Sequence, residues 1–554
     1  MDRLMLLIHR FSSWGGIFLC ITGLFLYAKK RKMSSATADN KLKGVFNDRI
    51  NRYAAWVLFI VALLLRFYQL DICPQGINQD EAMAVLNARS ILETGKDLSG
   101  NTFPAEFVAW GNGGQSVLLA YSMLPFIKIF GDGLNIIRLV PVIYSILGLI
   151  SFYYLAKCFL SDGKALVVTT FATFSPWHFM QSRWGLDCNL MSHLWILGIL
   201  LLIKGMSDKR LYYISAAIFG LSMYSYGISF YTITFYLISG ASYLLYKHLI
   251  TFKQIFGCIL IYLTISLPID MTMFVNAFHL DTITIGGITM PLLADQIRSN
   301  DILLLNYSFD QLLTNARFLG NILISQFDGL WFNSNFFFGS IFMCSMPFAL
   351  VGCVKVVYMA HTSADTKERA IYMLLWLYVL ISLLSGLITK EVNVSRINFV
   401  FYGLMLLVGI GISTLDGSFS LWKKAVYAMY LINIIGFMLM YFTLWAQTSG
   451  FFPDYEMAIA RAAGIDKDKC AVVVEYNSPD IARILTMYEQ KVPAIEYQDG
   501  TFDERYTFYE SVNELDFSKK DDTVYVVRKD DEGFFSDLGF SYSEEYLGYL
   551  VFYD

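Results

Sequence analysis

The sequence predicts a mostly α-helical, polytopic membrane protein of about 11–12 transmembrane helices, with a small α/β domain at its C-terminal end. Three observations predict this. Of its 554 residues 56% are hydrophobic and only 16% charged, a balance far more apolar than that of soluble chains of similar length. Runs long enough to cross a bilayer core of about 30 Å recur from residue 11 to residue 446. After residue 447 the composition turns polar, and short β-branched runs such as "CAVVV" and "TVYVV" flank a stretch of helical period.

In chain order the apolar runs lie near 11–28, 53–70, 135–156, 164–180, 189–204, 211–227, 230–247, 254–275, 336–358, 371–389, 397–414 and 425–446. The first is followed, not preceded, by "KKRK" and lacks a small-residue cleavage site, so it reads as a helix with an outside N-terminus rather than a signal peptide. The segment "SVLLAYSMLPFIKIFG" (116–131) is short and carries Pro125 and Lys128. If it does not cross, the basic loops "KKRK…DRINR", "KGMSDKR", "YKHLITFK", "HTSADTKER" and "WKK" all fall on the cytoplasmic side, as the positive-inside rule requires. It is then an interfacial or re-entrant helix.

This topology divides the chain into an N-terminal helix with a basic cytoplasmic segment (1–52), a transmembrane domain (53–446) and an extracytoplasmic α/β domain (447–554). The transmembrane domain carries a first outer loop at 71–134 and a long one at 276–335. Seven of the eight cysteines sit in or beside apolar runs, so no spacing suggests a disulfide framework or a metal site. A Walker loop and a strand-linked GxGxxG are absent, which leaves soluble-nucleotide hydrolysis without a visible site, and no nucleic-acid partner is expected.

The charges left at the outer ends of spans are the candidates for chemistry. "NQDEA" places Asp80 and Glu81 at the start of a helix ending near Gly95, where carboxylates also serve as caps. Arg138, Arg183, Asp187, Lys390 and Arg396 fall on the same side, and a convergent set of ionisable groups is costly at a membrane boundary. Arg183 and Asp187, four apart, suit a helical ion pair, while His178 and His193 suit hydrogen-bonded packing. "FDGLWFN" joins a turn at Asp328 to Trp331, an amphipathic platform for a membrane interface or a sugar ring. Lys390 and Arg396 in one very short outer loop run against the positive-inside bias, which a buried anion would explain.

Taken in order, "NQDEA", "NIIRLVPVIYSILGLISFYYLAKCF", "SPWHFMQSRWGLDCNL", "DGLWFN", "FGSIFMCSMPFALVG" and "NVSRINFVFYG" resemble the bacterial GT-C glycosyltransferases. That class includes protein O-mannosyltransferases and the lipid A aminoarabinose transferase, and the likeness is to glycosyltransferase family 39. It implies a GT-C bundle in the cell membrane with its catalytic face extracytoplasmic, and a polyprenyl-phosphate sugar as donor. The acceptor is then an extracytoplasmic glycan, lipid or protein, and the reaction is an inverting displacement. Asp80 matches the class's general base, with Glu81 assisting it or capping the helix. Arg138, Arg183, Lys390 and Arg396 are the expected donor-phosphate ligands, and Asp187, Asp328 and Trp331 the expected sugar or acceptor contacts.

No cofactor beyond the lipid-linked donor is expected. The Asp-x-Asp motif of metal-dependent members has no counterpart, the nearest acids being Asp295, Asp301, Asp310 and Asp328, so a metal-independent reaction is favoured with a divalent metal left open. The alternative is a flippase or transporter of lipid-linked sugars, whose charges belong near the midplane rather than at span ends. The C-terminal domain is expected to serve acceptor binding.

Overall fold

The computed structural model describes residues 2–33, 48–109, 113–293, 308–389, 392–416, 420–445, 453–465, 467–473, 479–518, 520–536, 538–546 and 548–554. Helices α1 (Asp2–Met33) and α2 (Asp48–Phe67) lead into the first loop. That loop folds as α3 (Gln79–Thr94), the antiparallel pair β1 (Glu106–Val108) and β2 (Gly114–Ser116), and α4 (Leu118–Phe130). There follow α5 (Leu134–Ala156), α6 (Asp162–Phe174), α7 (Pro176–Gln181), α8 (Asp187–Gly205), α9 (Arg210–Ser222), α10 (Ser229–Tyr246) and α11 (Phe252–Ala277). The long loop holds the hairpin β3 (Ile283–Ile285) and β4 (Ile288–Met290) and α12 (Phe309–Ile324). The bundle closes with α13 (Met346–Thr362), α14 (Thr366–Ile388), α15 (Val400–Leu415) and α16 (Ser420–Met440), the last running on as a π turn to Trp445.

Every apolar run of the sequence contains a helix. Seven of the described helices are long and apolar enough to cross a membrane: α1, α2, α5, α8, α11, α14 and α16 with its π extension. The other expected spans are shorter or more polar, for identifiable reasons. The run at 164–180 breaks between α6 and α7, where Ser175 is extended and Pro176 restarts the helix. The run at 336–358 begins in turns, and only from Met346 is it helical. The segment at 116–131 gives α4, whose 13 residues reach about 20 Å, short of the hydrocarbon thickness.

One helix crossing is unusually close. A Cβ on Gly352 of α13 would lie 1.9 Å from the Leu407 carbonyl oxygen of α15, and one on Gly411 of α15 would lie 1.9 Å from that of Phe348 on α13. Only glycine at both positions lets the two backbones touch.

The C-terminal domain adds α17 (Pro453–Ala463), β5 (Lys469–Val473), α18 (Pro479–Glu489), α19 (Ala494–Gln498), α20 (Thr501–Arg505), β6 (Tyr506–Tyr509), β7 (Thr523–Arg528), α21 (Glu532–Ser536), β8 (Tyr542–Tyr546) and β9 (Tyr549–Tyr553). Its sheet order is β6-β5-β7-β9-β8, with β5 parallel to β6 and β7 and the other pairings antiparallel. The period of two sorts its core: Ala471 and Val473 join one apolar cluster, Cys470 and Val472 another. That second cluster also contains Ile77, Ala82, Val85 and Leu86, so the domain and the first loop share one core. The long loop is tied to the same layer, since Ala105 N donates to Thr289 O at 2.8 Å and Thr289 N to Thr102 O at 3.1 Å.

Candidate active site

The site begins with the loop of residues 68–78 between α2 and α3. A loop packed against a membrane bundle leaves carbonyls that water cannot satisfy, and here two arginines take six of them together with two from the last turn of α2. Arg183 donates from Nη1 to Leu65 O and Arg66 O, and from Nη2 to Tyr68 O, Gln69 O and Cys73 O, at 2.6–3.0 Å. Its Nε reaches Tyr441 Oη at 3.3 Å. Arg138 donates from Nη1 to Leu70 O and Pro74 O and from Nη2 to Gly76 O at 2.6–3.0 Å. Its remaining donors meet Glu81, Nε to Oε1 at 3.0 Å and Nη2 to Oε2 at 3.1 Å. Both arginines are 0% exposed.

These contacts correct two sequence expectations. A guanidinium has five N–H donors; in both residues Nε and both Nη atoms are engaged by protein acceptors. Arg138 and Arg183 therefore build the floor of the site, and neither presents a donor to a phosphate in this arrangement. Glu81, likewise 0% exposed, also accepts from Gly185 N at 2.7 Å. It is a buried tie between α3, α5 and the bend before α8, not a helper of Asp80.

Asp80 is placed differently. The N-cap of α3 is Asn78, whose side chain accepts from Asp80 N at 2.9 Å, so capping by a side-chain acceptor belongs to Asn78. Gln115 on β2 donates from Nε2 to Asp80 O at 2.9 Å. The Asp80 backbone is thus held from both sides, and its residue is half-buried on the rim while its neighbour points inward.

The other described sequence candidates lie at the start of α8, in the long loop and in the 392–399 segment. Asp187 opens α8, 7% exposed, with Oδ1 accepting from Cys188 N at 2.7 Å. Asp328 is a loop organiser: Oδ1 accepts from Leu330 N at 3.0 Å and Ser334 Oγ at 2.6 Å, and Oδ2 from Asn333 Nδ2 at 3.2 Å and Val394 N at 2.8 Å. Those four donors account for its carboxylate, so the expected sugar contact at Asp328 becomes a tie between the long loop and the 392–399 segment. Trp331 is 48% exposed beside Phe327, ring centroids 5.4 Å apart. Arg396 is half-buried, with its backbone N donating to Asn393 Oδ1 at 2.9 Å. Lys390, Asp295 and Asp301 lie outside the described residues.

Contacts join these segments into one surface. Glu81 meets Gly185, the Trp184 ring meets that of Phe332 with centroids 5.8 Å apart, Asp328 meets Val394, and Asn398 Nδ2 donates to Cys188 O at 2.8 Å. Asn398 also accepts from Ser192 Oγ at 2.7 Å. Among the described residues there is no group of three His, Cys, Asp or Glu arranged to hold a metal ion.

Sequence reasoning missed Asn78, Gln115, Asn398 and a buried chain beneath the rim. In that chain Arg66 Nη2 lies 2.8 Å from His178 Nδ1, His178 Nε2 lies 2.7 Å from Tyr402 Oη, and Tyr402 Oη lies 3.0 Å from His193 Nδ1. The histidines are hydrogen-bonded packing residues, as their setting suggested. The signal for Arg66 was an arginine closing an apolar run; Tyr402 carried none.

Residues 115–271, from β2 through most of α11, match the sequence model of the dolichyl-phosphate-mannose-protein mannosyltransferase family. No curated protein matches the chain at a significant level. Among solved structures, ArnT from Cupriavidus metallidurans bound to undecaprenyl phosphate is similar with a TM-score of 0.57 and 11% identity, over 90% of this chain and 97% of that one. Apo ArnT from the same organism gives a TM-score of 0.46 at 14% identity with the same coverage. The archaeal oligosaccharyltransferase AglB from Archaeoglobus fulgidus, in complex with an inhibitory peptide and a dolichol-phosphate, gives 0.48 at 12%, over 87% and 70%. With the membrane helices, the ordered first loop and the C-terminal sheet in place, the chain has a polytopic membrane fold similar to that of ArnT, and its residues 115–271 are similar to the dolichyl-phosphate-mannose-protein mannosyltransferases.

Proposed function

We propose that the protein is an integral-membrane glycosyltransferase that moves a sugar from a polyprenyl-phosphate donor to an extracytoplasmic glycan, lipid or protein. The carrying observation is the division of labour at the start of α3. Asn78 caps the helix, Glu81 is locked to Arg138, and Asp80 sits on the rim with its backbone fixed.

In this reading the acceptor hydroxyl attacks the anomeric carbon while Asp80 takes its proton. The bond from that carbon to the phosphate oxygen breaks on the opposite face, with inversion, and polyprenyl phosphate leaves with the electron pair. The growing charge on the phosphate needs a fixed cation. Arg396, half-buried beside Asn393, and Lys390 are the candidates carried from the sequence. The ArnT structure bound to undecaprenyl phosphate supports the donor class, and the mannosyltransferase match supports the reaction class. The reading is metal-independent, and Trp331 and Asp187 are its sugar or acceptor contacts.

The test is turnover of a panel of radiolabelled polyprenyl-phosphate sugars by purified protein in lipid, with and without chelator, comparing wild type with Asp80→Asn. Release of polyprenyl phosphate by wild type alone, unaffected by chelator, is the expected result. Movement of the donor between leaflets by both proteins, with no release, would replace it with the transporter reading.

A further inference from the structure

The C-terminal domain grips the helix that carries Asp80. α3 has 16 residues, a rod of about 24 Å. Asp80 is in its first turn; the domain holds its other end. Gln498 Nε2 spends both hydrogens there, on Asp97 O at 2.8 Å and Ser90 Oγ at 3.2 Å. From the opposite end of α19, Ala494 N donates to Glu93 Oε2 at 2.9 Å. α3 buries ten residues, Glu81 to Ala88 with Ser90 and Ile91, and the apolar ones among them share a cluster with Ile484 and Leu485 of α18.

The other face of α3 packs on α4, within the same cluster. The helix is therefore clamped between a membrane-side element and a domain that follows it by some 400 residues in sequence. A packed helix responds to a load at one end as a unit, because interiors are close-packed and deform little. How α19 is seated on α3 thus fixes where the first turn stands relative to the Arg138 floor.

We infer that the C-terminal domain is a positioning element for Asp80, acting through Gln498 and the Ala494–Glu93 contact. This goes beyond acceptor binding by the domain and rests on the proposed role of Asp80 for its kinetic arm. Gln498 and Glu93 are positioning residues, since neither reaches the reacting atoms in the geometry described above.

The experiment pairs hydrogen exchange with kinetics on the full chain in lipid, for wild type, Gln498→Leu, Glu93→Ala and Glu93→Gln. The last keeps one amide carbonyl oxygen to accept from Ala494 N. Gln498→Leu and Glu93→Ala are expected to raise exchange about tenfold at the amides of residues 82–86, with protection of β7 and β9 unchanged. Their kcat for the donor that wild type turns over should fall about tenfold at unchanged affinity for sugar-free polyprenyl phosphate, and Glu93→Gln should restore both readouts. Unchanged exchange at 82–86 in both loss variants, or loss of protection in β7 and β9 alongside it, overturns the inference. Raised exchange at 82–86 with no turnover by wild type supports the clamp and overturns the transferase reading alone.

Discussion

Glu81 and Arg138 meet in a two-point ion pair with 0% of either side chain exposed. The neighbouring Asp80 stays on the rim, so two adjacent carboxylates have opposite fates. Removing one partner of a buried pair leaves an uncompensated charge, a loss of about 3–5 kcal/mol. Glu81→Ala and Arg138→Ala are each expected to cut thermal stability and yield sharply. Arg138→Lys should fare little better, because an ammonium cannot reach Leu70, Pro74, Gly76 and Glu81 together. Thermal unfolding in detergent checks this.

Asp80→Asn should behave in the opposite way. The amide keeps the shape of the carboxylate and leaves both backbone hydrogen bonds intact. Melting behaviour close to wild type is expected, with turnover lowered roughly a hundred- to ten-thousand-fold, the usual contribution of a general base. Equal loss of stability in Asp80→Asn and Glu81→Gln would remove the distinction.

Arg396→Ala is expected to weaken binding of a polyprenyl-phosphate analogue at least about tenfold, since a charge-assisted contact contributes about 1.5–3 kcal/mol. Affinity for a soluble acceptor analogue should change less. Equilibrium binding of a labelled lipid phosphate in nanodiscs measures the first, and unchanged affinity there would take Arg396 out of the site.

The C-terminal domain carries a pH-dependent tie. Arg461, hydrogen-bonded to the carboxylate, holds Glu544 well down, from 4.5 to about 2, with further bonds from Tyr546 and Tyr553. Because the folded value is lowered, the stabilisation is present above pH 4.5 and is lost as the pH falls toward 2. Glu544→Gln should therefore exchange the β8 and β9 amides faster than wild type at pH 7, and the difference should close near pH 2–3. The pair is partly exposed, so the effect is expected to be modest.

How much of this was legible in sequence divides along physical lines. Span positions and the α/β tail follow from hydrophobic periodicity, which is local. Asp80 stood out because an acidic pair opening a loop helix is visible in five letters, "NQDEA". The fates of Glu81, Arg138 and Arg183 were not legible, because charge at a span end reads alike whether its partner is a phosphate or a carbonyl some 110 residues away in sequence. Nor was Gln498 visible, since its partners Ser90 and Asp97 lie on the far side of the chain.

The glycine-lined crossing of α13 and α15 has a mechanical meaning. Two helices whose backbones touch have no side-chain layer to slide on, so they travel as one plank. Any relative motion within the bundle therefore falls to helices kept apart by larger residues, with this seam carried along whole.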